Sequence, residues 1–155
     1  MYDVPFVATP EHVARRMLEL ASVGPDDTVY DLGAGDGRIL ILAAKEFGAR
    51  AVGIELRKDL FNQIERRIKE NGLDGRVKVI HGSFYEVDIS EASVVTLYLL
   101  TSVNEKLRPK LERELRLGSR IVSHDFEVPG WRPIRMEEIY DTWTTHKIYM
   151  YRISR

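Results

Sequence analysis

The chain has 155 residues, 44% of them hydrophobic, and its 23 Lys and Arg stand against 24 Asp and Glu for a net charge of -1. This length suits one domain with a substantial core and is short for a second, substrate-binding domain; the balanced charge gives no global field toward nucleic acid or a membrane surface. The absence of cysteine excludes disulfides, thiolate metal sites and thiol nucleophiles together.

In chain order, a helix is predicted first. Thr9 is its N-cap, Pro10 its first residue and Glu11 an acid in the first turn, and Val13, Met17, Leu18 and Ala21 form its apolar stripe. A strand over Thr28–Leu32 runs into a glycine-rich turn and a helix with Ile39, Leu40, Ala43 and Phe47 on one face, closed by Gly48. Ala51–Leu56 is the second strand. Leu60, Phe61, Ile64 and Ile68 stripe a helix that stops at Asn71-Gly72, and Val77–Ile80 is the third strand. Val94–Leu100 is a near-continuous apolar run, as expected of a strand covered on both faces. Ser102 and Glu105 fit a capping box, with Val103, Leu107, Leu111 and Leu115 recurring along one helix face. Pro109 interrupts that face and predicts a kink or two short helices. Arg120–Asp125 is a fifth strand, and the alternating segments 133–141 and 145–153 predict an antiparallel hairpin.

Strands and helices alternating in this way, followed by a hairpin, imply an α/β fold: a Rossmann-like, doubly wound, seven-stranded sheet, mostly parallel, with an antiparallel terminal hairpin and an N-terminal helix. A single domain is expected over 1–155, with residues 1–24 as an N-terminal segment and helix, 26–126 as the ligand-binding core and 127–155 as the hairpin. No apolar run approaches the roughly 18 residues of a membrane span and no secretory segment precedes the first helix. A cytoplasmic monomer without membrane or direct nucleic-acid contact is therefore expected. The 30% of charged residues and the lack of cysteine point weakly to a thermophilic source.

The most specific segment is Asp31-Leu32-Gly33-Ala34-Gly35-Asp36-Gly37-Arg38, followed some 20 residues later by Glu55. Three alternate glycines let the backbone turn sharply and approach a ligand. The helix that follows directs its free N–H groups at whatever lies over them, and Glu55 is placed to accept from ribose hydroxyls. A nicotinamide fingerprint would require a further glycine where Arg38 stands. A glycine-rich turn can also be a mere connector.

This D-L-G-x-G-x-G pattern resembles motif I of the class I S-adenosylmethionine-dependent methyltransferases. The resemblance implies S-adenosylmethionine as cofactor and S-adenosylhomocysteine as product. Asp31 would handle the methionine amino group, Gly33, Ala34, Gly35, Asp36 and Gly37 would underlie the methionine moiety, and Glu55, with Leu56 beside it, would hold the ribose. At the end of strand 3, Gly82-Ser83-Phe84 occupies the position where many relatives read the adenine amino group with an acid or amide. Ser83 departs from that pattern, and Phe84 either lines the pocket or is plain core.

The acceptor side is less defined. Strand 4 ends in Tyr98-Leu99-Leu100-Thr101 and lacks the Asn/Asp-Pro-Pro-aromatic motif of enzymes that methylate exocyclic base amines. Tyr98 either lines an amine channel or packs. Asp125 either steers a cationic amine or caps the next loop, and Phe126 is placed to wall the channel. Tyr98, Asp125 and Phe126 are the catalytic candidates, and Tyr98 is also expected among the cofactor-binding residues. His81 is read as structural, and the four scattered histidines predict no metal. The segment 2–10 is apolar and proline-rich, placed either as a lid with Phe6, Val7 and Thr9 facing the cofactor or as a loose arm.

The segments 5–10, 29–38, 96–111 and 120–126 are similar to the small archaeal protein-lysine methyltransferases of broad specificity, whose relatives act on ATP synthase c subunit and adenine nucleotide translocase. That resemblance implies protein substrates with accessible lysines, including DNA-binding chromatin proteins. Two other functions fit the scaffold: RNA or small-molecule methylation, and non-catalytic S-adenosylmethionine binding.

Overall fold

The computed structural model describes residues 7–154, so Phe6 and the rest of segment 2–6 lie outside the described residues. The elements are α1 (Glu11–Leu20), β1 (Thr28–Leu32), α2 (Arg38–Phe47), β2 (Arg50–Glu55), α3 (Lys58–Glu70), β3 (Val77–His81), β4 (Val94–Leu97), α4 (Thr101–Glu114), β5 (Arg120–His124), β6 (Arg135–Tyr140) and β7 (Thr145–Arg152). The seven strands form one sheet in the order β3-β2-β1-β4-β5-β7-β6. β1 to β5 run parallel, and β7 inserts antiparallel between β5 and β6. This is the architecture expected from the sequence, with the hairpin at one edge. No helix among the described residues is long and apolar enough to cross a membrane.

Alternation along the strands divides the core in two. Val29, Ala51, Val94, Val122 and Met150 face α1, α2 and α3, whereas Tyr30, Val52, Val95, Ile121 and Tyr151 face the Leu107, Leu111 and Leu115 stripe of α4. Side chains on opposite faces of a strand thus serve opposite layers. β3 and β4 are joined by turns rather than by a helix. There Ser83 and Asp88 accept from nearby backbone N–H groups, and Ile89 and Ala92 fill the second core.

Four local expectations differ from the structure. Thr9 caps nothing: α1 starts one residue later, with Pro10 at the cap position and no side-chain cap, because the Thr9 hydroxyl is engaged with His124. The Ser102/Glu105 box does not form, and α4 begins without a side-chain cap. Pro109 lies inside one 14-residue helix rather than between two. β4 also ends at Leu97, so Tyr98, Leu99 and Leu100 leave the sheet.

Gly53 sets how closely the glycine turn and α2 sit on β2. A Cβ there would lie 2.5 Å from Leu40 Cδ1 and 2.8 Å from Ala34 Cβ. Gly53→Ala is expected to destabilise the protein by about 1–3 kcal/mol through overpacking, measured by chemical denaturation. An unchanged midpoint would show that α2 can move away from the sheet without cost.

Candidate functional site

β1 lies where the strand order reverses, with β2 and β3 on one side and β4 and β5 on the other. In such sheets a crevice opens beyond the carboxyl ends of the strands at that point. A cavity of about 540 Å³ occupies this position. Its lining includes Val7 and Thr9 from the N-terminal segment, Asp31, Gly33, Ala34, Gly35 and Asp36 from the glycine turn, Glu55, Phe84, Tyr98 and Phe126. Eleven residues singled out from the sequence thus meet in one cavity.

The glycine turn is held from both sides. Gly33, Gly35 and Gly37 all have positive φ, at 80°, 62° and 81°, a region that side chains with a Cβ seldom occupy. The N–H groups of Gly33 and Ala34 donate to the Ile54 carbonyl at 2.9 and 3.0 Å. Glu55 is buried, and its carboxylate accepts from Gly35 N–H at 2.7 Å and from Arg57 N–H at 3.0 Å. One acid therefore fixes the turn and the start of α3 while facing the cavity. Asp36 is paired with Arg38 at 2.6 Å. Burial raises its carboxyl, but the hydrogen bonds and charge of Arg38, with Arg67 beyond, outweigh this and hold it below its ordinary value.

Asp31 is the opposite case. Burial pushes its carboxyl up to about 7; the Thr96 hydroxyl, donating to Oδ1 at 2.8 Å, works against the rise, and the carboxylates of Glu55 and Asp36 add to it. A buried carboxyl with like charges around it and a cavity in front of it favours a cationic ligand group.

The wall of the cavity expected to face the methyl acceptor is built from the ends of β4 and β5. The Tyr98 ring stacks on His124 with centroids 4.0 Å apart and is 6.1 Å from Phe126. Burial, followed by the nearby Asp125 carboxylate, raises the Tyr98 phenol above its ordinary value. Leu99, Leu100 and Val103 complete an apolar wall.

Five candidates lie outside the lining. Gly37 packs on α3, where a Cβ would meet Ile64 at 3.2 Å. Gly82 donates its N–H to the Glu55 carbonyl, Ser83 accepts from Tyr85 N–H at 3.2 Å, and Leu56 is half exposed. Asp125, at φ 63°, accepts from Lys147 N–H at 2.9 Å and returns its own N–H to the Lys147 carbonyl at 2.7 Å. It therefore clasps the hairpin. His81 bonds the Leu56 carbonyl at 3.1 Å and packs on Phe61.

Sequence reasoning missed Arg38, Ile39, Arg57, Leu60, Leu99, Leu100 and Val103 in the lining. Most belong to helices whose stripes read equally well as core. It also missed a largely buried side-chain chain linking Thr9, His124, His146 and Asp141; beside it Asp125 comes close enough that His124, Asp125 and His146 bring ligating atoms within 4.8 Å of one another.

Residues 31–135 match the family model of the ANTKMT methyltransferase domain. The chain belongs to this methyltransferase family. It is 53% identical, over 97% of its length and 94% of the relative's, to a protein-lysine N-methyltransferase of Saccharolobus islandicus. It is 34% identical over 85% of its length to the adenine nucleotide translocase lysine N-methyltransferase of Mus musculus, of which it spans 57%. A Salinibacter ruber structure described as an RNA methyltransferase in complex with S-adenosyl-L-homocysteine superposes with a TM-score of 0.88 at 49% identity, covering 95% of this chain and 94% of that one. The family member described here is an S-adenosylmethionine-dependent methyltransferase.

The residues present fit that cofactor. Asp31 is a buried carboxyl at the cavity wall, and Gly33 and Gly35 carry no side chain to obstruct the close approach of a ligand.

Proposed function

We propose that this methyltransferase transfers the methyl group of S-adenosylmethionine to lysine ε-amines of proteins. The observation that carries this reading is the acceptor wall, in which Tyr98, Leu99, Leu100, Val103 and Phe126 enclose the space beyond the glycine turn. An apolar, aromatic wall suits the lysine alkyl stem and desolvates its amine. A free lysine has a pKa near 10.4, and desolvation beside a positive sulfonium lowers it, so no dedicated base is required. The cofactor supplies an activated methyl, and the protein's share is to hold donor and acceptor in line, an effect worth roughly 7 to 11 kcal/mol.

Asp31 is assigned to the ammonium, Gly33 to Asp36 to the methionine moiety and Glu55 to the ribose. Val7 and Thr9 cover the cofactor. Leu56 stands beside Glu55, and Phe84, Gly82 and Ser83 are assigned to the adenine end, while Tyr98 and Phe126 position the amine and Asp125 holds the hairpin that borders them. Val7 and Leu100 are 62% and 54% exposed, so the cavity opens at the surface. An open site supports broad specificity for proteins with accessible lysines, among them DNA-binding chromatin proteins.

The Salinibacter ruber relative favours RNA as the competing acceptor. Against it, the arginines of the lining are engaged: Arg38 with Asp36 and Arg57 with Asp59, at 2.6 and 2.8 Å. RNA binding draws on cations available to neutralise phosphates. Incubation with methyl-labelled S-adenosylmethionine and separate protein, RNA and metabolite pools is expected to label protein lysines. Label confined to RNA would overturn the reading.

A further inference from the structure

Three histidines that the methyl transfer does not use are strung together at the edge of the cavity. Thr9 Oγ1 lies 3.0 Å from His124 Nδ1, His124 Nε2 lies 2.8 Å from His146 Nδ1, and His146 Nε2 lies 2.7 Å from Asp141 Oδ2. His12 Nε2 reaches the other Asp141 oxygen at 2.6 Å. The chain crosses from the segment before α1, through the end of β5 and the start of β7, to the β6–β7 turn. Thr9, His124 and His146 are all buried.

The protons in this chain have a direction. An ionised carboxylate only accepts, so Asp141 requires Nε2–H on His146. With both rings neutral, His146 Nδ1 is then an acceptor and must receive His124 Nε2–H. The second carboxylate near His124, Asp125 Oδ2 at 3.5 Å from Nε2, favours the same proton position. His124 Nδ1 is left as an acceptor, and only the Thr9 hydroxyl can supply it. Neutrality of His124 follows from its burial, which pulls it down to about 4; Asp125 opposes that shift and His146 adds to it. Asp141 is partly desolvated, which raises its carboxyl, but bonding and charge from His146 and His12 outweigh this and hold it below its ordinary value.

We propose that His124, oriented by His146 and Asp141, is a positioning residue that commits the Thr9 proton and so presents the Thr9 oxygen to the cavity as an acceptor for a hydrogen-bond donor of the cofactor. The same imidazole is the face on which Tyr98 stacks, so the terminal hairpin orders both the cofactor cover and the acceptor wall. This inference rests on the cavity being the cofactor site.

Two measurements test it on the full chain. Long-range proton–nitrogen correlation spectra of the protein at pH 8 are expected to show Nε2–H tautomers for both His124 and His146. A Nδ1–H tautomer at His124, or stoichiometric zinc retained by the pair, would overturn the proposal. Calorimetry with S-adenosylhomocysteine is expected to give about tenfold weaker binding for Thr9→Val and for His146→Leu, with the double variant no weaker than either. A hundredfold loss in the double variant, or unchanged affinity in a folded His146→Leu protein, would sink it, because a merely structural His146 would act independently of the Thr9 hydroxyl. Failure of the unmodified protein to bind would instead count against the cofactor site, and the tautomers would still decide the chain.

Discussion

Asp31→Asn is expected to make the protein more stable without cofactor and nearly unable to bind it. The Asp31 carboxyl is raised by burial from an ordinary value of 3.8 to about 7. A carboxyl raised on folding adds stability while it is protonated in the native state, and that stability is lost as pH rises through the window from about 4 to 7. Above pH 7 the native state holds a buried anion at a cost of up to ~4 kcal/mol relative to the low-pH limit. An asparagine cannot ionise, yet its carbonyl can still accept from Thr96. Chemical denaturation should therefore show the variant stabilised at pH 8, with the gain fading toward pH 4. Cofactor affinity should fall about 100-fold or more, since a charge-assisted partner of the ammonium is lost. In the unmodified protein, affinity should weaken as pH drops below 7 and Asp31 takes up a proton. Equal stability of the two proteins at pH 8 would show that Asp31 is not a strained anion, and unchanged affinity would remove it from the ammonium site.

The parts of this molecule that were legible in its sequence are those where a local pattern has one physical solution. β1 spans Thr28–Leu32 as expected, because an apolar run ending in a positive-φ glycine has little alternative. Gly48 closes α2 at φ 73° for the same reason. Where one residue has two possible partners, the tertiary one won. The Thr9 hydroxyl meets His124, distant by 115 positions, instead of capping α1. An apolar run does not reveal where strand pairing stops, so Leu99 and Leu100 looked like strand although they wall the cavity. The histidine chain was hidden more deeply. His124 and His146 are 22 positions apart, and only the pairing of β5 with β7, which sets His124 opposite Ile148, brings them together. Scattered histidines carry no such information until the register is known. Trp131 and Tyr151 pack on each other while Trp143 is 93% exposed, a division that aromatic content alone does not contain.

Substitution of Glu55 should separate its two duties. Each carboxylate oxygen accepts from a backbone N–H, one from Gly35 and one from Arg57, and each keeps further lone-pair capacity for a ribose hydroxyl. Glu55→Ala removes both anchors and the proposed ribose contact. Cofactor affinity is expected to drop by at least one charge-assisted hydrogen bond, roughly 1.5 to 3 kcal/mol. Glu55→Gln keeps the shape but sets an amide donor against one of the two N–H groups, so it should fall close to the alanine variant rather than midway to the unmodified protein. The loop duty has its own readout, which needs no ligand. Hydrogen exchange at the Gly35 amide should accelerate in both variants, because the N–H that donated at 2.7 Å loses its anionic partner. Weakened binding with unchanged Gly35 exchange would assign Glu55 to the ribose alone, and faster exchange with intact affinity would make it a brace for the glycine turn. Both changes are expected together, since the same carboxylate shapes the turn and faces the cavity.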